Sequence, residues 1–283
     1  MGKFDGVLLC TDFDDTLVRT NITGPGASET EKRNEPVVFG RNKEALDYYL
    51  AQGGRFTVAT GRAYQTFSPY RDRVPMNAPA VLSNGAILYD FAADRELYHA
   101  WLPEQVRDHA RRLAQTFPDV AFETHVGDLI YTYRPNEIAW RHIHKLGQPY
   151  EEREFADMPW PWIKLLVEHG EHERLVQVQQ WVAETFPGQY EPIFSNRYLM
   201  EITAYGANKG TAVRRVAERL GIRAEHIYCV GDNQNDIPML EVSSQAFAPA
   251  GCAQEVRDWG ATIVGPCEEG AIADVIEILD RTY

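Results

Sequence analysis

The chain of 283 residues has few cysteines and no long uninterrupted apolar run. Its four cysteines form no CxxC pair, and Cys10 and Cys229 lie in apolar, strand-like segments where cysteine usually acts as a small hydrophobic residue. This usage disfavours a disulfide framework and favours the reducing cytoplasm. The apolar run after Lys3 is short and ends at Asp12, so we expect no signal peptide. No segment approaches the roughly 20 apolar residues of a membrane span, so we expect no membrane partner.

Basic residues are also scarce, with 28 against 41 acidic residues and a net charge of −13. A nucleic-acid-binding protein needs a basic face, so the composition disfavours that class. An anionic substrate would need a local cation or a metal ion to enter its site. The hydrophobic fraction of 44% is ordinary for a globular core, and the length is sufficient for two domains. The oligomeric state cannot be inferred from these features.

Strand-like and helix-like segments alternate at both ends of the chain. This alternation predicts an α/β fold, namely a three-layer Rossmann-like core with a mainly parallel sheet and helices on both faces. Predicted strands are 6–10, 56–59, 80–82, 227–230, 246–248 and 262–264, and predicted helices are 42–51, one from 63, 209–220, one from 237, and 272–279.

The middle of the chain follows a different pattern, with adjacent strand pairs that indicate two hairpins. The hairpins are predicted at 120–133 and 190–202, with a strand at 163–167 and a helix at 171–184. Two helices and two hairpins would form an inserted α+β cap domain. The predicted domains are therefore a core of residues 1–88 and 203–283 and a cap of residues 89–202. The polar stretch 21–40 is predicted to be a loop over the sheet edge.

Two carboxylates follow the first predicted strand. Asp12 and Asp14 are two residues apart on an extended chain, so their side chains point to the same side. Because the two charges repel, either a cation holds one carboxylate ionised or one stays protonated. Asp12 could then be a nucleophile or metal ligand and Asp14 a general acid and base. A solvated acidic turn explains this segment alone equally well.

Thr60, Gly61 and Arg62 follow the second predicted strand. A hydroxyl group beside a glycine can donate a hydrogen bond to a phosphate oxygen. Thr60 could instead cap the helix that starts at residue 63.

Acidic and amide side chains crowd the end of strand 227–230, in the run Gly231-Asp232-Asn233-Gln234-Asn235-Asp236. Such oxygen ligands suit Mg²⁺, whereas a helix cap explains one of these residues but not the set. Lys209 opens a predicted helix, where a cation is unfavourable to the helix dipole, which suggests an anionic partner. The alternative is a solvent-exposed lysine, as most lysines are. Because strand ends of a parallel sheet meet at one edge, all these groups would converge there.

These motifs, in this order, resemble the haloacid dehalogenase superfamily of phosphohydrolases, and the resemblance covers the whole chain, more loosely in the cap. It is closest to the Cof-type branch, which has a C2B-type cap inserted after the third core strand. The matching positions are Asp12, Asp14 and Thr16 (DxDxT), Thr60, Lys209, and Gly231, Asp232, Asn235 and Asp236 (GDxxND), with Ser83-Asn84-Gly85 before the cap.

The resemblance implies aspartate-based phosphoryl transfer from a small phosphorylated substrate. Asp12 would attack phosphorus to form an aspartyl-phosphate, and Asp14 would protonate the leaving alcohol and then activate water. It also implies a Mg²⁺ cofactor and residues that hold the phosphate. The implied metal ligands are Asp12, Asp14 (through its backbone carbonyl), Asp232 and Asp236, and the implied substrate-binding residues are Thr60, Gly61, Arg62, Asn84, Lys209 and Asn235.

One position departs from the family pattern, because Asp15 stands where glycine is usual. Glycine adopts a positive φ without penalty and aspartate does so at modest cost, so the turn is expected to survive. The extra carboxylate could alter the affinity for the metal ion or the pKa of Asp14.

The cap contains polar and aromatic hairpin residues that could select a substrate, although each is better explained as a structural or solvent-facing group. They are Glu123, His125, Tyr131, Tyr133, Arg197 and Glu201. Lys164, between apolar neighbours, points either into a cleft or to solvent. The pairs His142/His144 and His169/His172 lack the i, i+4 spacing of a helical zinc site, so we predict that they lie on the surface.

The predicted function is a Mg²⁺-dependent phosphatase for small phosphate monoesters, with sugar phosphates as the expected substrates. The alternative is a sugar phosphomutase similar to the phosphomannomutases. A metal-dependent glycosyltransferase would also use a DxD motif but does not explain Lys209 or the run from Gly231. A non-enzymatic binding protein would be expected to have lost Asp12 or Asp14.

Overall fold

The structure is a computed structural model that describes residues 2–20, 38 and 40–283. Two compact units make up the chain, one formed by Met1–Leu97 with Lys209–Tyr283 and the other by Tyr98–Asn208. Both boundaries fall a few residues later in the chain than the predicted cap limits of 89 and 202. The predicted loop at 21–40 lies outside the described residues, apart from positions 38 and 40.

The first unit, which we call the core, contains a five-stranded parallel sheet in the order β14-β13-β12-β1-β2 among the described residues. Its predicted mainly parallel character is confirmed. The strands are β1 Leu8–Thr11, β2 Arg55–Val58, β12 Ile227–Val230, β13 Gln245–Ala248 and β14 Thr262–Ile263.

The central strands β1 and β12 are buried along their whole length, as expected for a sheet covered on both faces. Leu8 pairs with Ile227 and Thr11 with Val230, so the two strands end side by side. This register places the residues that follow the two strands at one edge of the sheet.

The predicted strand at 80–82 forms, but it does not join the parallel sheet as a full member. It is β3 Ala80–Leu82 and pairs antiparallel with β4 Ile87–Asp90, in a three-stranded sheet completed by β5 Arg95–His99. An isolated parallel bridge between Ala59 and Val81 connects it to the chain just beyond β2.

The core helices are α1 Arg41–Ala51, α2 Tyr64–Phe67, α6 Lys209–Leu220, α7 Ile237–Glu241, α8 Gln254–Trp259 and α9 Ala271–Thr282. Helix α1 packs against α9, and α6 packs against α7. The helix predicted from residue 63 is short and continues as a 3₁₀ segment over Ser68–Arg73.

The second unit, which we call the cap, has a mixed six-stranded sheet in the order β10-β11-β9-β6-β7-β8. Both predicted hairpins form, as the antiparallel pairs β6–β7 and β10–β11. Its strands are β6 Ala121–Val126, β7 Leu129–Tyr133, β8 Tyr150–Glu152, β9 Leu165–Glu168, β10 Tyr190–Asn196 and β11 Leu199–Ala204, and its helices are α3 Val106–Thr116, α4 Glu137–Leu146 and α5 His172–Thr185.

The cap therefore has three helices where two were predicted. Helices α3 and α5 contribute to an apolar cluster with strand residues such as Phe122, Val167 and Met200. Successive side chains of a strand point to opposite faces of the sheet. The residues that follow these three, namely Glu123, Glu168 and Glu201, therefore face away from the apolar cluster. Nowhere in the described parts of either unit is there a helix long and apolar enough to cross a membrane.

Candidate active site

Asp12 lies at the carboxyl end of β1, where the sheet register brings it beside the end of β12. Its backbone N–H donates to the carbonyl oxygen of Val230 at 2.8 Å, and the residue is 7% exposed. The backbone is therefore fixed on both strands while the carboxylate extends beyond the sheet edge.

Lys209 joins the two acidic segments of the site. Its Nζ donates to Asp12 Oδ1 and to Asp236 Oδ1, both at 2.6 Å, and the side chain is fully buried. An anionic partner was expected for Lys209, and the structure shows two, the carboxylates of Asp12 and Asp236. Because a buried ammonium group without counter-charges would be very costly, this arrangement holds all three groups in place.

Two glycines allow these segments to approach so closely. A Cβ atom on Gly210 would lie 2.0 Å from the carbonyl oxygen of Pro238, and one on Gly231 would lie 2.3 Å from the Cβ of Asp236. Any larger residue would push α6 from α7, or the end of β12 from Asp236. The glycines of the two motifs are therefore explained by packing around the Lys209 ion pairs.

Asp236 organises the loop that follows β12. Its Oδ2 accepts hydrogen bonds from the backbone N–H groups of Asp232 at 2.8 Å and Asn233 at 3.0 Å. With Oδ1 bound to Lys209, both carboxylate oxygens of Asp236 have partners within the protein. Asp232 is oriented separately, because its Oδ1 accepts from Thr16 Oγ1 at 2.9 Å.

Charge crowding perturbs this site strongly. Burial raises the pKa of the Asp12 carboxyl well above its usual value, while Lys209 opposes the rise. Burial and the neighbouring Asp236 raise the pKa of Asp232 to about 7. Burial acts to lower the pKa of Lys209, but Asp12 and Asp236 outweigh it and raise that pKa above the usual value. A further cation would therefore stabilise the ionised carboxylates.

Three carboxylates of this site could hold such a cation. Oxygen atoms of Asp12, Asp232 and Asp236 lie within 4.8 Å of one another. An all-oxygen donor set with high negative charge suits Mg²⁺, which binds few carboxylates and keeps several waters. The residues present therefore fit the predicted cofactor. The Asp14 side chain lies outside this group, in keeping with the expectation that only its backbone carbonyl would ligate.

Asp14 instead forms a two-pronged ion pair with Arg62. Arg62 Nε donates to Oδ2 at 2.7 Å, and Nη2 donates to Oδ1 at 2.6 Å. The guanidinium carbon lies 5.1 Å from the ring centroids of both Phe13 and Tyr70. Such bidentate pairs fix orientation as well as charge, so Arg62 positions the Asp14 carboxylate. Arg62 was predicted to bind substrate, and this contact with Asp14 was not foreseen.

The remaining predicted residues form a second hydrogen-bonded chain. Thr60 Oγ1 accepts from the N–H of Arg62 at 3.1 Å, and Thr60 O accepts from the N–H of Asn84 at 3.0 Å. Asn235 Nδ2 donates to Asn84 Oδ1 at 3.0 Å. The Thr60-Gly61 turn, Asn84 and the loop after β12 are thus tied to each other in the core unit.

Asp15 adopts the conformation that glycine would adopt freely. Its φ is 58°, and its Oδ1 accepts from the backbone N–H of Thr20 at 2.9 Å. Aspartate is among the residues that tolerate this left-handed region, partly because its short side chain bonds locally. The turn therefore survives the departure from the family pattern, as expected.

The fold and this site define an α/β protein with an aspartate at the end of the first strand of its parallel sheet and with an inserted cap. A family model described as haloacid dehalogenase-like hydrolase matches residues 9–276. The chain therefore belongs to the haloacid dehalogenase-like hydrolases, and the predicted membership with a Cof-type cap is confirmed. The predicted enzyme class, a phosphoric monoester hydrolase, is confirmed at the level of this family.

Curated relatives are similar over most of the chain at low identity. A 5-amino-6-(5-phospho-D-ribitylamino)uracil phosphatase of Bacillus subtilis (strain 168) is 23% identical over 271 residues, covering 87% of this chain and 93% of the relative. An HMP-PP phosphatase of Serratia proteamaculans (strain 568) is 23% identical over 230 residues, covering 78% and 81%.

Solved structures share the fold. A phosphatase of this superfamily from Bacteroides thetaiotaomicron superposes with a TM-score of 0.80 at 18% identity, covering 98% of this chain and 96% of that one. A subclass IIB sugar phosphatase superposes with a TM-score of 0.78 at 20% identity, covering 97% and 99%. At these identities the structural likeness supports the fold only.

Proposed function

We propose that this protein is a Mg²⁺-dependent phosphatase that hydrolyses small phosphate monoesters, with sugar phosphates as the substrate class, through an aspartyl-phosphate on Asp12. The observation that carries the proposal is the fully buried Lys209, which binds Asp12 and Asp236 at 2.6 Å each. A purely structural acidic turn would not need a desolvated cation at its centre, because it could remain in solvent.

The ion pair assigns different roles to the two oxygens of Asp12. Lys209 holds Oδ1, so Oδ2 is the oxygen that would attack phosphorus. The bond between phosphorus and the ester oxygen would break as the Asp12–phosphorus bond forms. Lys209 would also stabilise the negative charge on the transferring phosphoryl group, a contribution that is usually large in such reactions.

Asp14 is the proton donor and acceptor in this proposal. It would give its proton to the leaving alcohol and then take one from the water that attacks the aspartyl-phosphate, which releases inorganic phosphate and restores Asp12. Before substrate binds, Arg62 holds the Asp14 carboxylate through two hydrogen bonds. Because a carboxylate in this ion pair carries no proton, we propose that Asp14 leaves Arg62 and takes up a proton from water when substrate binds, and that Arg62 re-orients it between turnovers. We also propose that Thr60, Gly61, Asn84 and Asn235 line the phosphate position.

A Mg²⁺ ion held by Asp12 and Asp232, with Asp236 in support, would neutralise the charge of the phosphate. The protein itself prepares this position, because Thr16 fixes one oxygen of Asp232 at 2.9 Å. Asp236 is held by Lys209 and by two backbone N–H groups, so it orients the loop as well as adding charge.

The substrate class rests on chemistry shared by the similar proteins. The Bacillus relative is named for a phosphorylated ribityl compound, and one structural neighbour is titled a sugar phosphatase. Both names describe a phosphate on a polyhydroxylated carbon chain, so we propose this class for the present chain. The phosphomutase alternative requires a bisphosphorylated sugar to activate the enzyme, and phosphate release without an activator would exclude it.

The test is a panel of phosphate monoesters, including sugar and polyol phosphates, assayed for phosphate release with Mg²⁺. Asp12→Asn should reduce turnover by at least about a thousandfold, because it removes the nucleophile. Asp47→Asn, an exposed residue of α1, is the control and should retain wild-type turnover. Unchanged activity in Asp12→Asn, or no phosphate release from any ester, would refute the proposal.

A further inference from the structure

A second cluster of ionisable groups lies inside the cap, apart from the residues assigned above. Glu123 on β6 and Glu168 on β9 have fully buried side chains. In the antiparallel register Glu123 pairs with Leu166 and Ala121 with Glu168, so the two glutamates are diagonal neighbours on one face of the sheet. Two buried carboxylates are costly without a counter-charge.

Helix α4 brings an imidazole to these carboxylates. His142 Nδ1 lies 2.8 Å from Glu123 Oε2 and 3.6 Å from Glu168 Oε1. The prediction that His142 lies on the surface was wrong, because its side chain is only 24% exposed and contacts both glutamates. Lys164, predicted to face a cleft or solvent, is also buried and donates to Glu201 at 2.8 Å.

Helix α4 is held against strand β9 by hydrogen bonds of Asn136. Asn136, which caps the start of α4, accepts hydrogen bonds from the N–H groups of Ile138 and Ala139. The same side chain donates through Nδ2 to the carbonyl oxygen of Glu168 at 2.9 Å. The position of His142 relative to Glu168 is therefore set by a hydrogen-bonded connection between helix and strand.

Several buried polar atoms of this cluster have no hydrogen-bond partner among the described residues. They are Glu123 Oε1, both oxygens of Glu168, and Nε2 of His125. The His125 side chain is 6% exposed, and its Nε2 lies 3.9 Å from Glu123 Oε2. The two glutamates can satisfy each other only if one carboxyl group is protonated and donates to the other. If both are ionised, a ligand is missing, because buried polar atoms are nearly always satisfied.

The distances agree with a metal ion as that ligand. Ligand atoms of Glu123, His142 and Glu168 lie within 4.8 Å of one another. Two ligands at about 2.1 Å from a tetrahedral Zn²⁺ are about 3.4 Å apart, which falls between the two distances measured from His142. Carboxylate oxygen together with imidazole nitrogen is a donor set that suits first-row transition ions such as Zn²⁺.

We propose that Glu123, His142 and Glu168 form a three-ligand binding site in the cap for one divalent transition-metal ion, for which Zn²⁺ is the probe. The ion would compensate two buried carboxylates and cross-link α4 to β6 and β9. The site is buried and would therefore stabilise the cap, a role independent of the phosphatase reaction in the core.

The competing explanation is a pair of carboxyl groups that remain protonated. Burial raises the pKa of Glu123 to about 7 and raises that of Glu168 well above its usual range. A hydrogen bond between the two carboxyl groups opposes the rise at Glu123 and adds to it at Glu168. Burial also lowers the pKa of His142, which favours the neutral imidazole that binds metals. Metal and proton compete for the same oxygens, and a binding experiment separates the two cases.

The experiment is equilibrium dialysis of the full chain against Zn²⁺ in excess Mg²⁺, followed by metal analysis. Asp232→Asn provides the background in which the core site is weakened. In that background one Zn²⁺ should remain bound per chain and should be lost in His142→Ala and in Glu168→Gln. His144→Ala, an exposed histidine two residues further along α4, should keep it.

Thermal unfolding supplies a second measurement that does not depend on activity. Zn²⁺ well above its Kd should raise the Tm by about 5 °C, and the rise should disappear in Glu168→Gln but not in His144→Ala. Equal Zn²⁺ stoichiometry in the His142→Ala, Glu168→Gln and His144→Ala backgrounds, or an unchanged Tm, would overturn the metal site and establish the protonated pair. Because these measurements do not use phosphate release, they stand whether or not the proposed phosphatase activity is confirmed.

Discussion

Replacing Lys209 by methionine tests the central ion pairs of the core. The substitution keeps the length of the side chain but removes a fully buried positive charge that contacts Asp12 and Asp236 at 2.6 Å each. Removing one partner of a buried pair costs about 3–5 kcal/mol, because the remaining charge is left without compensation.

Two considerations limit the cost for this protein. Asp12 is 7% exposed and can take up a proton, since burial already raises its pKa. Asp236 keeps the two backbone hydrogen bonds to its Oδ2. We therefore expect Lys209→Met to lower the free energy of unfolding by about 4 kcal/mol near neutral pH, toward the middle of that range.

The loss of stability should depend on pH in a defined direction. Without Lys209 the pKa of Asp12, which burial already raises, rises further above its value in the unfolded chain, so the folded variant binds more protons than the unfolded one. Stability then decreases as pH rises, and the difference from wild type should grow from about pH 4 toward neutral pH.

Urea unfolding at several pH values measures this effect. Arg219→Met, an exposed position on the same helix, is the matched control and should change stability by less than about 0.5 kcal/mol. Phosphate release by Lys209→Met should fall by at least about a hundredfold. A destabilisation below about 1 kcal/mol, or one that shrinks toward neutral pH, would show that Lys209 does not compensate these carboxylates.

Three further outcomes follow from the core geometry. Asp15→Ala and Asp15→Gly both lose the hydrogen bond from Thr20, but Asp15→Ala should be about 1 kcal/mol less stable than Asp15→Gly in urea unfolding, since only alanine is strained at a φ of 58°. Equal stabilities of the two variants would contradict the role of the turn. Arg62→Lys should lower kcat about 10- to 100-fold, because lysine cannot form both hydrogen bonds to Asp14, while exposed Arg71→Lys should be neutral; a wild-type kcat would remove Arg62 from the mechanism. The Mg²⁺ concentration that gives half-maximal activity should rise by up to about tenfold for each pH unit below about 7, because protons compete with Mg²⁺ for Asp232. A constant Mg²⁺ concentration across that pH range would exclude Asp232 as a ligand.

The carboxyl-end site was predictable from the sequence because its signals are local. Asp12, Thr60 and Asp232 each follow a short apolar strand, and strand ends of a parallel sheet must meet at one edge. Their assignment to catalysis and metal binding stays a prediction until variants are assayed. The cap limits, the Mg²⁺ dependence and the absence of nucleic-acid partners likewise stay predictions.

Of the two predicted cap helices only the one at 171–184 was given bounds, and helix α4 was not placed although its end signals are present in the sequence. Asn136 caps its start through two backbone N–H groups, and Gly147 ends it in the left-handed conformation. On either side of this helix in the sequence, only the two hairpins, the strand at 163–167 and the helix at 171–184 were predicted. Because α4 was not placed, its histidines were judged by spacing alone and assigned to the surface.

Which groups stand at the strand ends follows from the local sequence, because strand periodicity and loop chemistry depend on neighbouring residues. Which of these groups touch depends on the folded chain. Arg62 reaches Asp14 across 48 positions, Lys209 reaches Asp12 across 197, and His142 reaches Glu123 across 19. Such contacts depend on strand register and on the faces by which helices pack, and these follow from burial of the whole chain. That is why the carboxylate cluster could be predicted from the motif, whereas its ion pairs and the buried histidine–glutamate cluster could not.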